Sequence, residues 1–121
     1  MEKVNKKNYL CDKIFVYGTL QHGQSRNYIL RGLKYDKATL LNYRKVEPPS
    51  LGFPFIIRDN NSSVKGELYY GVEQSLLNQI DLIEGEGNLY HRILVNVKLD
   101  DGSGTEAYTY YPSEILTKNY I

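Results

Sequence analysis

VEQSLLNQIDLIEGEGNLYHR, residues 72–92, combines a helical pattern with a break that marks where the helix ends. Apolar residues recur at intervals of three and four, at Val72, Leu76, Ile80 and Ile83, which is the spacing of one face of an α-helix. Glycines at positions 85 and 87 follow and predict the end of the helix. The stretch therefore predicts an amphipathic helix whose apolar face packs against a core.

Glu84 lies at the C-terminal end of this apolar face, on the line through Leu77 and Ile80. A carboxylate in that position points towards the core, where burial disfavours its charged form and raises its pKa. A raised carboxyl pKa suits a general base that works near neutral pH. The alternative is that Glu84 frays into solvent at the end of the helix, and the spacing alone leaves both interpretations open.

Length, charge and cysteine content narrow the class of protein. The 121 residues are enough for one domain with a real core, and a formal net charge of +1 gives no electrostatic case for binding nucleic acid or an anionic membrane. The sequence has no apolar run of membrane-spanning length and no secretory signal pattern. The single cysteine, Cys11, rules out an internal disulfide, so a cytoplasmic protein is expected.

The chain divides into a polar, lysine-rich lead-in over residues 1–12, expected to be flexible, and a single domain over residues 13–121. KIFVYGTL, residues 13–20, predicts a strand that is buried on both faces and broken by Gly18. A glycine turn leaves backbone N–H groups without strand partners, and such groups bind a carboxylate or an oxyanion. An ordinary strand-to-helix loop is the alternative, and a single glycine favours it.

The rest of the pattern predicts an α+β domain. Ser25 is a candidate N-cap for a short helix ending at Leu30, and Gly66 inside a strand indicates a bulge or a close backbone approach. Further strands are predicted over residues 38–46, 55–58, 64–70, 89–99 and 105–111, with turns at 59–62 and 100–104 and a proline-rich loop at 47–54. Five or six strands in mostly antiparallel hairpins, with two helices, allow the sheet to curl into a barrel.

Several common mechanisms lack the residues they need. Two histidines, His22 and His91, without matching cysteines or clustered acids give little support for a metal site, and neither a metal nor another cofactor is expected. Walker-type and GxSxG loops are absent. Arg92 is expected to pair with Asp81, with a substrate carboxylate as the alternative partner. One carboxylate, an N–H-rich turn and twelve tyrosines suit a reaction that needs proton transfer and charge stabilisation.

Six motifs in order resemble those of the γ-glutamylcyclotransferase-like family, also called AIG2-like. FVYGTL at 15–20, followed by Gly23 and Gln24, resembles the family's YGTL opening. The other matches are FP at 53–54, VKGELY at 64–69, IDLIEG at 80–85, YHR at 90–92 and AYTY at 107–110. The resemblance spans about residues 13–111 and is greatest to the γ-glutamylamine cyclotransferase branch.

This resemblance implies a small mixed, mostly antiparallel β-barrel with two or more short helices and a cavity at the end of the first strand. It implies release of 5-oxoproline from a γ-glutamyl amine or γ-glutamyl amino acid, by attack of the glutamyl amine on its own γ-carbonyl. The implied partner is this small molecule, without nucleic acid or membrane, and the chain is expected to be a monomer or weak homodimer. By position Glu84 is the general acid/base, and the substrate-binding residues are Tyr17, Gly18, Thr19, Leu20, Tyr90 and Tyr110.

Two other functions stay open at the level of sequence. A non-catalytic binding protein on the same barrel would hold a small molecule without turning it over. An interaction module would use a tyrosine-rich face to bind another protein, and would show an exposed aromatic patch instead of a cavity.

Overall fold

The computed structural model describes residues 11–120, so most of the predicted lead-in, residues 1–10, lies outside the described residues. The described chain forms five strands: β1 (Ile14–Val16), β2 (Tyr35–Val46), β3 (Phe55–Tyr69), β4 (Tyr90–Leu99) and β5 (Gly104–Pro112). Two α-helices, α1 (Gln74–Glu84) and α2 (Glu114–Tyr120), and a 3₁₀ turn at Asn27–Leu30 complete it. Neither α-helix combines the length and the apolar character needed to cross a membrane.

The strands close into a barrel in the order β1-β3-β2-β4-β5. Four of the five strand contacts are antiparallel, and the parallel contact between β1 and β5 completes the closure. The mixed, mostly antiparallel barrel with short helices that the sequence predicted is therefore confirmed.

Strand β1 is buried on both faces, as its apolar run predicted. Phe15 packs in a cluster that also draws residues from the other four strands and fills the barrel. Ile14 and Val16 point the other way and pack in a second cluster with Leu77 and Ile80 of α1. Full burial of such side chains stabilises the fold by about 1.5–3 kcal/mol each. Strand β1 is thus fixed between the barrel interior and the helix.

Helix α1 ends at Glu84, as the sequence predicted, through a glycine cap. Gly85 adopts a left-handed φ of 67°, which glycine reaches without steric cost. Its N–H contacts the carbonyl of Leu82 at 3.3 Å, and the N–H of Glu86 donates to the carbonyl of Asp81 at 2.9 Å. These two bonds form a Schellman motif, so the helix end and Glu84 are held in a defined position.

The predicted turn at residues 59–62 is wrong. Strand β3 continues through these residues and pairs with β2 on both sides of them, with a register shift opposite Asn42. Asp59 makes turn-like contacts, accepting from the N–H of Asn61 at 3.0 Å and from the hydroxyl of Ser62 at 3.0 Å. The turn residues therefore form a bulge in one long strand, and the chain reverses in the predicted proline loop instead.

Three smaller differences concern the connecting segments. The short helix predicted after Ser25 is a 3₁₀ turn, preceded by Arg26 without a side-chain cap. The tail after Pro112, without a predicted element, forms α2 and buries Leu116. The close approach predicted at Gly66 is confirmed, because a Cβ there would lie 2.4 Å from the carbonyl oxygen of Val16.

Candidate active site

A cavity of about 330 Å³ opens where β1 ends. Its walls come from the turn after β1, the proline loop before β3, the C-terminal end of α1, the start of β4 and the end of β5. The structure brings all of the predicted catalytic and substrate-binding residues to this cavity: Tyr17, Gly18, Thr19, Leu20, Glu84, Tyr90 and Tyr110. Their roles in binding or catalysis stay predictions.

The turn after β1 lines the cavity and carries backbone N–H groups that have no acceptor among the described residues. Within the described part of the chain, the N–H groups of Gly18, Thr19 and Leu20 donate to no protein acceptor. Gly18 packs tightly on the proline loop, because a Cβ at this position would lie 3.1 Å from Cγ of Pro54. Successive N–H groups of this kind form a concavity that attracts an anion.

A hydrogen-bond network holds this turn against β3. Glu67 accepts the backbone N–H of His22 at 2.7 Å and the hydroxyl of Tyr69 at 3.3 Å. Asn27 donates to that hydroxyl and to the carbonyl of Leu20, both at 2.8 Å. The His22 side chain itself is exposed, stacks on a tyrosine and does not line the cavity. The network therefore presets the turn donors before any ligand binds.

Glu84 is the acid that lines the cavity. Its side chain is half-buried, and this burial raises its pKa above the ordinary glutamate value. The positive charge of Arg26 acts in the opposite direction, lowering the pKa by a smaller amount. A glutamate with a raised pKa exchanges protons closer to neutral pH, which is the property that general acid–base chemistry requires.

Three tyrosines wall the cavity and use their hydroxyls within the protein. Tyr17 donates to the carbonyl of Tyr110 at 2.6 Å, and Tyr90 donates to the carbonyl of Pro54 at 2.7 Å. The rings of Tyr90 and Tyr110 meet edge to face, with their centroids 6.4 Å apart. Burial raises the pKa of all three phenols, so they stay neutral at physiological pH. They provide a rigid wall without charge.

An ion pair behind the wall fastens α1 to the barrel. Asp81 accepts from the Tyr110 hydroxyl at 2.6 Å and pairs with Arg92 Nη1 at 3.0 Å, which confirms the predicted Asp81–Arg92 pair. Burial raises the pKa of Asp81, while the Tyr110 bond and the Arg92 charge lower it. Because Asp81 lies one turn before Glu84, these contacts also fix the position of Glu84 over the cavity.

Nine lining residues were not predicted as site residues: Phe15, Val16, Ser25, Arg26, Gly52, Phe53, Pro54, Ile83 and Leu89. Arg26 matters most because it brings a positive charge next to Glu84. Its sequence neighbourhood is polar and carries no periodic pattern, so no local signal separates it from a solvated surface arginine. Among residues 11–120, no group of three or more histidine, cysteine, aspartate or glutamate side chains is arranged to hold a metal ion.

Comparisons with known proteins agree on one family. The family model for gamma-glutamyl cyclotransferase, AIG2-like proteins matches residues 14–120. Gamma-glutamylaminecyclotransferase A of Danio rerio is 31% identical over an alignment of 115 residues, which covers 86% of this chain and 71% of the relative. A protein of Arabidopsis thaliana solved in solution shares the fold with a TM-score of 0.77 at 23% identity, covering 93% of this chain and 76% of that one.

A crystal structure of an AIG2-like protein from Mus musculus also shares the fold, with a TM-score of 0.75 at 20% identity. This match covers 87% of the chain described here and 79% of the mouse chain. The family model spans nearly all of the described barrel, and the zebrafish relative extends the likeness to sequence. The chain belongs to the gamma-glutamyl cyclotransferase, AIG2-like family.

Proposed function

We propose that this protein releases 5-oxoproline from a γ-glutamyl amine or a γ-glutamyl amino acid, with Glu84 as general acid/base. The observation that carries the proposal is that one cavity is lined by a half-buried glutamate with a raised pKa and by three residues whose backbone N–H groups have no acceptor within residues 11–120. Membership of the family supports a γ-glutamylcyclotransferase-like activity. The name of the zebrafish relative favours amine substrates.

The proposed reaction conserves atoms and charge. Glu84 takes a proton from the ammonium of the glutamyl group, and the freed amine attacks its own γ-carbonyl. A C–N bond forms and closes a five-membered lactam, while the bond from the γ-carbon to the departing nitrogen breaks. The attacking nitrogen loses two protons in all, and Glu84 passes each of them in turn to the departing amine. No water, oxidant or metal is consumed.

The cavity has features that suit the two needs of this reaction, a folded substrate and stabilised charge. Because the attack is intramolecular, the protein has only to hold the substrate folded, and well-oriented intramolecular reactions gain up to about 7–11 kcal/mol over bimolecular ones. In the proposed reaction the N–H groups of Gly18, Thr19 and Leu20 stabilise the substrate's carboxylate or the oxyanion of the transition state. Removing one such donor from an oxyanion site typically costs about 2.7–4 kcal/mol.

The cavity also fits a ligand of this size. Its volume of about 330 Å³ lies at the lower end of the range for small-molecule pockets, about 300–1,000 Å³. The neutral tyrosine wall gives the cavity an aromatic surface without adding a charge. A cavity with these features suits an enzyme or a binding protein. A protein-interaction module would instead use an exposed aromatic patch.

A substrate panel tests the proposal. The full-length protein is incubated with γ-glutamylalanine, γ-glutamyl-ε-lysine and γ-glutamylethylamine, and 5-oxoproline and the free amine are quantified together. We expect equimolar release of both from at least one compound, and none from its N-acetylated form, which lacks the nucleophile. Release of the free amine from the N-acetylated form, without 5-oxoproline, would indicate hydrolysis and contradict cyclisation. Saturable binding without release would favour the non-catalytic binding protein.

A further inference from the structure

Arg26 brings a positive charge to the rim of the cavity. Its backbone N–H donates to the carbonyl of Thr19 at 2.9 Å, which ties the residue to the N–H-rich turn. Its side chain lines the cavity, and Nη1 contacts the carbonyl of Ile83 at 3.4 Å. That carbonyl is in the last turn of α1, where the helix dipole attracts a cation, and directly precedes Glu84. The guanidinium therefore lies beside the proposed base.

The charge of Arg26 is available to a ligand. Arg26 and Glu84 are the two charged side chains among the residues that line the cavity. No carboxylate of the described residues lies within 4.0 Å of the Arg26 guanidinium, and its side chain is exposed. Its contact with the Ile83 carbonyl is long and engages one of the five N–H donors of a guanidinium.

We propose that Arg26 is a specificity-determining residue that binds a carboxylate on the leaving amine, an inference that rests on the proposed function. Glu84 has to reach both the attacking and the departing nitrogen, so the leaving group lies next to Glu84 and hence next to Arg26. In an amino-acid leaving group the carboxylate is one carbon from the departing nitrogen. The planar fork of arginine matches such a carboxylate with two parallel hydrogen bonds.

The inference separates two halves of the substrate. The glutamyl half is common to every candidate substrate and is the part that the turn donors at Gly18, Thr19 and Leu20 would hold. The leaving half varies, and Arg26 is the cation that meets it. A plain alkylamine would leave the guanidinium without a partner, while an amino acid would neutralise it.

A matched substrate pair tests the role of Arg26. γ-Glutamylalanine and γ-glutamylethylamine differ only by the carboxylate on the leaving amine. The measured ratio is kcat/KM for γ-glutamylalanine divided by kcat/KM for γ-glutamylethylamine. It is determined for the wild type, for Arg26→Gln and for the control Arg31→Gln, which alters an exposed arginine outside the cavity. Rates are taken on the alkaline plateau, because removal of the Arg26 charge also shifts the pKa of Glu84.

We expect Arg26→Gln to lower the ratio about ten-fold, mainly through KM for γ-glutamylalanine, which is the scale of one charge-assisted hydrogen bond. γ-Glutamylethylamine should be affected little, Arg31→Gln should leave the ratio unchanged, and Arg26→Lys should restore it in part. An equal loss on both substrates would assign Arg26 to the glutamyl half or to the loop, and would overturn the inference. An unchanged ratio would do the same. Turnover of γ-glutamyl-ε-lysine alone would also overturn the inference, whereas failure of the wild type on all three compounds of the panel would instead refute the proposed function.

Discussion

The loss of stability expected from Gly66→Ala in β3 follows from the geometry around this residue. A methyl group at this position would lie 2.4 Å from the carbonyl oxygen of Val16 and 2.7 Å from Cζ of the buried Phe15 ring. Ordinary contact begins at 3.4 Å, so the overlap with the oxygen is 1.0 Å. The oxygen belongs to the backbone of β1, which pairs with β3 at this point, and it cannot move without breaking that pairing. We therefore expect Gly66→Ala to destabilise the fold by about 3 kcal/mol or more.

Gly104→Ala is the matched control. Gly104 also lies in a strand without a left-handed φ, but its nearest contact to an added methyl group is at 3.6 Å. This change should be neutral or stabilise by up to about 1 kcal/mol, because it restricts the unfolded chain. In urea unfolding followed by circular dichroism, a slope of about 1.5 kcal/mol/M puts the Gly66→Ala midpoint about 2 M below the wild type. Equal midpoints for both variants would refute the packing argument.

Two further predictions concern the chemistry and the support of the cavity. Because burial raises the pKa of Glu84, turnover should increase with pH along an acidic limb that lies above the ordinary glutamate pKa of 4.5. Arg26→Gln should move that limb to higher pH, because the Arg26 charge lowers the pKa of Glu84. A profile of kcat/KM that is flat from acid to neutral pH would contradict Glu84 as the base. Tyr110→Phe removes the 2.6 Å bond to Asp81 and should cost about 1.5–3 kcal/mol in urea unfolding. The control is Tyr111→Phe, because the Tyr111 hydroxyl makes no hydrogen bond within residues 11–120, and this change should lower the free energy of unfolding little. Similar losses of stability in the two variants would contradict the role of the Asp81 bond.

The parts of the fold that the sequence predicted well are those with an unambiguous local pattern. The apolar run at Ile14–Val16 required burial on both faces, and the structure provides it. In α1 the apolar spacing and Gly85 set both the buried face and the end of the helix. The spacing left Glu84 either buried or frayed into solvent, and the resemblance of residues 80–85 to the family motif assigned it to a site; the structure brings it to the cavity.

The turn that was wrongly predicted at Asp59 shows that pairing with a distant strand can override local turn-forming residues. Asp-Asn-Asn-Ser is a typical turn sequence, and its side chains do make turn-like hydrogen bonds. However, β2 is long enough to pair with the chain on both sides of these residues, so the segment becomes a bulge. Nothing in residues 55–70 alone could reveal the length of the partner strand.

Arg26 and the closure of the barrel were beyond local reasoning for a different reason. Strand β1 meets β5 through a pairing at Ile14 and Tyr108, residues far apart in sequence with no signal of parallel contact in either strand. Arg26 reaches the cavity because the turn after β1 folds back towards the end of α1. Both features depend on the assembled fold.

The central claim is that Glu84 carries the proton transfer, and Glu84→Gln on the best substrate of the panel tests it most directly. The control is Glu73→Gln, an exposed glutamate without a capping bond at the other end of α1. Burial holds the pKa of Glu84 in the folded state above its value in the unfolded state. The folded state therefore loses stability as the pH rises from the unfolded-state pKa to the folded-state pKa. The glutamine variant should therefore unfold no more easily than the wild type at neutral pH.

The account predicts that Glu84→Gln lowers 5-oxoproline release by about a thousandfold, the scale of a lost general base, while the substrate still binds. Glu73→Gln should retain wild-type turnover. Near-wild-type release by a correctly folded Glu84→Gln variant would contradict the account.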